Sequence, residues 1–270
     1  MANLLLHSLR EFDEVILELV ERLRPRSLLE IGAETGTFTE RLVAYCEANG
    51  GKLVTIDPAP HPDLLEFARK NDTVTLVVGL SIPYLRENAC DAELALIDGD
   101  HNYYTVSNEL ELIHEAWAKR GTRGTMLLHD VGFPCADRDF YYSPESIPEE
   151  ARHRHSYALG VTLDSDGLIA GGFRGEGQFA WALARGGARN GVFTAIRDFC
   201  AKHPEYAYRS IDAVFGLGAL TVRGSEADAA VAATFGRYDN ALVRRLERNR
   251  LELYLKVIEL QDLLAAKESA

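Results

Sequence analysis

Three things are scarce in this sequence: closely spaced cysteines, uninterrupted apolar runs and surplus positive charge. The four cysteines, Cys46, Cys90, Cys135 and Cys200, stand far apart and form no Cys-x-x-Cys pair. That spacing argues against a zinc knuckle or a redox couple and predicts ordinary reduced thiols. Every apolar run is broken by charge well short of the roughly 20 residues a bilayer span needs, so no membrane partner is expected. The apolar start, Met1 to Leu6, has neither a basic leading segment nor a small-residue cleavage site, which predicts no signal peptide and a cytoplasmic location. Basic residues number 29 against 41 acidic ones, a formal charge of -12. An excess of that sign repels phosphodiester backbones, and no basic stripe offsets it, so nucleic acid is not an expected partner.

What is present is a chain of 270 residues, 47% apolar and 26% charged, enough for one large globular domain with a small appendage. Ser8 and Glu11 read as a capping box before a helix whose apolar residues, Leu9, Phe12, Ile16, Leu19, Val20 and Leu23, recur at helical spacing up to Pro25. Strands are predicted over 27–31, 52–56, 73–78, 93–97 and 125–128, and helices over 37–48, 62–71 and 107–120. Strands apolar on both faces and separated by helices describe a doubly wound α/β fold with a parallel sheet covered on both sides. Near the far end, 206–211 and 215–222 are strand-like, and their link is too short for a crossover helix, so they are expected to pair antiparallel. The fold class is thus a Rossmann-like, seven-stranded sheet finished by an antiparallel pair.

The first strand runs into Glu30-Ile31-Gly32-Ala33-Glu34-Thr35-Gly36-Thr37 and then a helix. Glycines there allow a sharp turn and close backbone approach to a ligand at the carboxyl end of the sheet. The spacing is Gly-x-x-x-Gly, and Glu30 and Glu34 would raise the cost of a pyrophosphate at this loop. They suit instead a ligand with a cationic centre, such as the sulfonium of S-adenosylmethionine. Asp57, about twenty residues after the last glycine, stands where a carboxylate accepts hydrogen bonds from ribose hydroxyls. Ligand-type side chains also end two later strands: Asp98, with Asp100 and His101 beyond it, and His129 with Asp130. Adjacent parallel strands lie about 4.8 Å apart, so such ends can converge on one cation. Oxygen donors there fit Mg²⁺ or Mn²⁺, and the His129 nitrogen tilts the set toward Mn²⁺, Fe²⁺ or Zn²⁺.

Taken together, Glu-x-Gly-x-x-x-Gly, Ile56-Asp57, Gly79-Leu80-Ser81, Ile97-Asp98-Gly99-Asp100-His101 and His129-Asp130 resemble the class I S-adenosylmethionine-dependent methyltransferases. More narrowly they resemble the metal-dependent small-molecule O-methyltransferases, both catechol-type enzymes and those acting on sugars. The likeness covers about Leu28 to Val131, and the terminal strand pair in outline. It implies S-adenosylmethionine bound by Glu30, Gly32, Ala33, Gly36, Thr37, Asp57, Gly79, Ser81 and Asp98. It also implies a divalent metal, Mg²⁺ first and Mn²⁺ or Fe²⁺ as alternatives, held by Asp98, His129 and Asp130, where relatives commonly carry Asp-Asn, Asp-Asp or Glu-Asp at the last two positions. His101 stands at the relatives' Lys or His base. Leu80 departs from the Gly-Asp-Ser of relatives and leaves the adenine amine without its usual carboxylate.

Between the fifth strand and a helix near Asn190 lies 131–189, rich in aromatic residues, glycine and proline, with a hairpin expected over 161–170. Directly after the metal-type residues, it is expected to wall the acceptor site, a small molecule with a hydroxyl. Arg152, His153, Arg154, His155, Arg174 and Arg189 add positive charge that suits a phosphate- or carboxylate-bearing sugar. The domain is read as 1–224, with 225–270 as a helical tail. There Leu242, Leu246, Leu253, Val257, Leu260 and Leu264 form one apolar stripe, expected to pair with its copy in a homo-oligomer, the alternative being to lie back on its own domain. Phenol or catechol methylation, a nicotinamide-dependent oxidoreductase on the same fold, and a non-catalytic scaffold are the competing readings.

Overall fold

A computed structural model describes Leu6 and residues 8–268. The apolar start, apart from Leu6, lies outside the described residues. The elements in chain order are α1 (Asp13–Leu23), β1 (Ser27–Ile31), α2 (Thr37–Asn49), β2 (Lys52–Asp57), α3 (Pro62–Lys70), β3 (Val74–Val78), α4 (Ser81–Glu87), β4 (Leu94–Ile97), α5 (Tyr103–Arg120) and β5 (Thr125–His129). They continue with β6 (Phe140–Tyr141), β7 (His155–Ser156), β8 (Ala180–Ala182), α6 (Val192–Lys202), β9 (Tyr206–Ile211), β10 (Leu217–Val222), α7 (Glu226–Phe235) and α8 (Ala241–Glu268).

The central strands β4 and β5 are buried at every position because helices cover both faces, which is why their sequences run apolar without alternation. The sheet has seven strands in the order β3-β2-β1-β4-β5-β10-β9. The first five are parallel, and β10 runs antiparallel to both β5 and β9. Ile31 pairs with Ile97 and Ile97 with Leu128, so the residues that follow, Gly32, Asp98 and His129, emerge side by side at one edge. A single sheet edge therefore collects loops that are far apart in sequence.

Local chemistry moved several boundaries. Ser8 accepts from the Arg10 backbone N–H, and residues Leu9–Phe12 form a 3-10 turn before α1, so the expected capping box is a tighter turn. Arg24, in the left-handed conformation ahead of Pro25, ends α1. α5 starts four residues earlier than expected because Asn102 caps it, accepting from the Thr105 N–H. The short α4, with Pro83 in its first turn, had no periodic signal.

The aromatic insertion carries its own small sheet, β6-β8-β7, which local patterning did not show because each strand is two or three residues long. The expected hairpin is reduced to isolated antiparallel bridges, Gly160 with Ile169 and Val161 with Phe173. Asp139, fully buried, ties the insertion down: its carboxylate accepts from the Tyr103 and Gly191 N–H groups and the Tyr141 hydroxyl. The tail is two helices. α7 packs on α1 through Val231 and Phe235 in the core they share, while α8 touches the body through Leu251 and Tyr254 beside Phe215 and Phe173. Leu242, Leu246, Leu253, Leu260, Leu263 and Leu264 remain exposed.

Candidate active site

The Asp98 carboxylate, the His129 ring and the Asp130 carboxylate each bring one ligand-type atom to a common point, all within 4.8 Å of one another. Register explains Asp98 and His129, which follow paired positions of β4 and β5. Asp130 is turned in by a left-handed backbone, φ 56°. His129 Nδ1 lies 3.0 Å from Asp98 Oδ1 and 3.4 Å from Asp130 Oδ2, and Nε2 lies 3.0 Å from the Val214 carbonyl. A carbonyl only accepts, so Nε2 carries the proton and donates to Val214. Nδ1 is thereby turned toward the two carboxylates. It is buried, which by itself disfavours a charged ring, but Asp130 and Asp98 outweigh that and push His129 well above the usual imidazole range. Two carboxylates aimed at one imidazole nitrogen demand a positive charge between them, a proton or a metal cation.

Val214 was not foreseen. It is β-branched yet has φ 45°, in a turn with Phe215 at 64° and Gly216 at 97°, a costly conformation for a valine. A backbone carbonyl leaves no residue-type signature, which is why only the folded turn between β9 and β10 reveals this contact. His101 completes the cluster, its Nε2 3.2 Å from Asp130 Oδ2 and its ring 5.4 Å from Phe140 and 6.0 Å from Tyr142. Tyr142 is 56% exposed, so an aromatic face of the insertion stands open beside His101.

The glycine loop lies at the same edge. A Cβ on Gly32 would sit 2.2 Å from the Asp98 carbonyl oxygen, and φ is +85°, so glycine here lets the loop after β1 pack on the end of β4. Gly36 opens α2 at φ 78°. Asp57 is tied to this loop: Oδ2 accepts from the Ala33 and Glu34 N–H groups at 2.9 and 2.8 Å, and Oδ1 from the Ala59 N–H at 2.8 Å. Glu30 is buried and one of its oxygens accepts from the Thr39 and Thr55 hydroxyls at 2.7 and 2.8 Å. Burial pushes its carboxyl up to about 7, against the pull of the two hydroxyls. Thr37 begins α2, and its hydroxyl pairs with Thr35 at 3.0 Å.

At the ends of β3 and β4 the structure adds a residue the sequence reading missed. Ser81, at the start of α4 two residues after Gly79, donates its hydroxyl to Glu109 of α5. Glu109 is fully buried, and burial raises its carboxyl to about 8, with Asp100 adding to the rise. Its signal was a carboxylate inside the apolar stripe Val106, Leu110 and Ile113. Glu109 Oε2 and Asp100 Oδ1 are buried with no hydrogen-bond partner among the described residues. The cysteines are free thiols, and burial raises Cys46 and Cys90 to about 11.

Compared with known proteins, residues 29–131 match the family model described as a methyltransferase domain. That segment, running from within β1 to just past β5, is similar to a methyltransferase domain. Solved structures of similar fold include an O-methyltransferase from Bacillus cereus with S-adenosylhomocysteine, 16% identical over 80% of this chain and 82% of that one, TM-score 0.46. Another is the O-methyltransferase TomG from Streptomyces achromogenes with S-adenosylmethionine, 14% identical over 80% and 81%, TM-score 0.45. A third is the 1,6-didemethyltoxoflavin N1-methyltransferase from Burkholderia thailandensis, 14% identical over 79% and 77%, TM-score 0.44. No curated protein matches the chain.

The insertion's positive charge is partly spent. Arg174 makes a two-pronged bond to Asp262 of α8 at 2.6 and 3.0 Å, Arg152 donates to the Pro144 carbonyl, and His153 is 2.8 Å from the Arg189 carbonyl. Arg174, expected to greet an anionic substrate, serves instead to fasten α8 to the insertion. No helix among the described residues is long and apolar enough to cross a membrane.

Proposed function

We propose that this enzyme methylates a hydroxyl of a small acceptor, using a divalent metal held by Asp98, His129 and Asp130 and His101 as the base. The observation that carries the reading is the convergence of those three ligand atoms within 4.8 Å, with His101 Nε2 3.2 Å from Asp130. The donor set fits a cation: two hard carboxylates and a nitrogen whose tautomer is fixed from behind by Val214, the outer support that ligating histidines usually have. One nitrogen among two oxygens favours Mn²⁺ or Fe²⁺ beside Mg²⁺. When bound, such an ion lowers the pKa of an acceptor hydroxyl and orients it.

The remaining roles belong to the chain. His101, held against Asp130 and walled by Phe140 and Tyr142, is placed to take the hydroxyl proton. Asp57 rigidifies the loop over 33–34 and keeps unused lone pairs for ribose hydroxyls. Asp100, with one unpartnered oxygen, offers an acceptor for the adenine amine that Leu80 lacks, and Ser81 is held in place by Glu109. Gly32, Ala33, Gly36, Thr37 and Gly79 supply backbone along the cofactor, and Glu30 beneath the loop ties β1 to Thr39 and Thr55. The open face of Tyr142 suits stacking on a sugar ring, which favours a glycoside or nucleotide sugar over a catechol. Apolar residues exposed along α8 support a homo-oligomer.

The test is methyl transfer from labelled S-adenosylmethionine to a panel of nucleotide sugars, glycosides and catechols. Label is expected on a sugar hydroxyl, lost with chelator and restored by Mn²⁺ or Mg²⁺. Full activity in chelator refutes the metal role, and label on a catechol alone refutes the sugar.

A further inference from the structure

A second group of metal-type side chains lies away from that cleft. His114 of α5, His203 just after α6 and Glu205 just before β9 bring one ligand-type atom each within 4.8 Å of one another. Their position is at the other end of the sheet. Along β10, Leu217 pairs with β5 at His129, whereas Val222 pairs with Tyr206, the residue after Glu205. Five strand steps between those registers span roughly 17 Å.

We propose that His114, His203 and Glu205 form a separate binding site for a borderline divalent transition metal, Zn²⁺ or an ion of similar chemistry. Each imidazole already has one nitrogen engaged from outside. His203 Nε2 lies 3.1 and 3.3 Å from the two oxygens of Glu111, and His114 Nδ1 lies 3.2 Å from the Tyr206 hydroxyl. A carboxylate behind a ligating imidazole fixes its tautomer and raises its basicity, leaving the other nitrogen to the ion. Here that leaves Nδ1 of His203 and Nε2 of His114. The rings are 4.0 Å apart, and one ligand-type atom of each lies within 4.8 Å of the other's and of a Glu205 oxygen.

Charge supports the same conclusion. Lys202 Nζ, 2.7 Å from Glu111, already balances that outer carboxylate. Glu205, by contrast, has no side-chain partner among the described residues and sits beside two histidines. Two imidazoles and one carboxylate with a side open to water form the nitrogen-and-oxygen set that selects zinc-class ions over Mg²⁺ or Ca²⁺. Such an ion would tie α5, α6 and the start of β9 together.

Zn²⁺ binding to the metal-free full chain, measured by competition with a chromogenic chelator, tests this. His203→Gln is expected to bind one ion fewer than wild type. An Asp98→Asn, His129→Gln double variant is expected to retain the ion that His203→Gln loses, which separates this site from the one in the cleft. Glu111→Gln, which keeps all three ligands, is expected to weaken the site about 10- to 100-fold. Glu205→Gln, at an exposed position that cannot harm the fold, is expected to weaken it as well. Isotherms identical to wild type in both His203→Gln and Glu205→Gln overturn the proposal.

Discussion

Single side chains at the cleft do work that their neighbours make possible. His101 has Asp130 at 3.2 Å and aromatic walls, so replacing it tests the base directly. His101→Asn is expected to lower kcat about 10²- to 10⁴-fold with the melting temperature nearly unchanged, because general-base removal costs rate more than stability. Glu109 makes a stability prediction. Its carboxyl titrates near 8 in the folded chain against an ordinary value of 4.5, so between those pH values the unfolded chain has lost a proton that the native chain keeps. Stability from this group is therefore full below about 4.5 and is lost as pH rises to about 8, at up to about 1.4 kcal/mol per pH unit. Glu109→Gln removes that slope: melting curves should show the variant gaining on wild type from pH 5 to pH 8. A constant gap would place the carboxyl's titration in the ordinary range. Asp98, His101, His129 and Asp130 were legible as residue types at strand ends, whereas the Val214 carbonyl was not, because any residue could supply it.

Among elements, α8 is the one whose contacts are least complete. It is fastened by Arg174 to Asp262, by Glu247 accepting from the Phe215 N–H, and by Arg250 over the Phe215 ring at 5.1 Å, yet only Leu251 is buried. An amphipathic helix anchored by polar contacts with its leucines in solvent is suited to a second copy of itself. Leu253 and Leu260 are 60% and 49% exposed, so a Leu253→Lys, Leu260→Lys double variant should fold normally. Sedimentation is expected to show a dimer for wild type and a monomer for the variant; equal masses would refute pairing through α8. The apolar stripe was readable from sequence. That α7 splits from it at Gly236 and packs on α1 was not, since Val231 and Phe235 look like any apolar helix positions until their partners are in place.

For the whole molecule, binding of a sulfonium-type cofactor should appear as stabilisation of the native state. S-adenosylhomocysteine at 100 times its Kd is expected to add about 2.7 kcal/mol and raise the melting temperature, while NAD at the same concentration leaves it unmoved. A shift with NAD alone would return the fold to the oxidoreductases. The sequence by itself determined the alternation of the five parallel strands with their longer helices, the glycine loop, and the ligand-type residues at strand ends, because apolar period and turn chemistry are local properties of neighbouring residues. Only the tertiary structure decided which of them meet. Sheet register brought Asp98 beside His129, the turn before β10 fixed the imidazole's tautomer, helix packing put Glu109 under Ser81, and three separate elements gathered His114, His203 and Glu205. Those pairings join residues up to about ninety positions apart, and no local pattern encodes a distance across the fold.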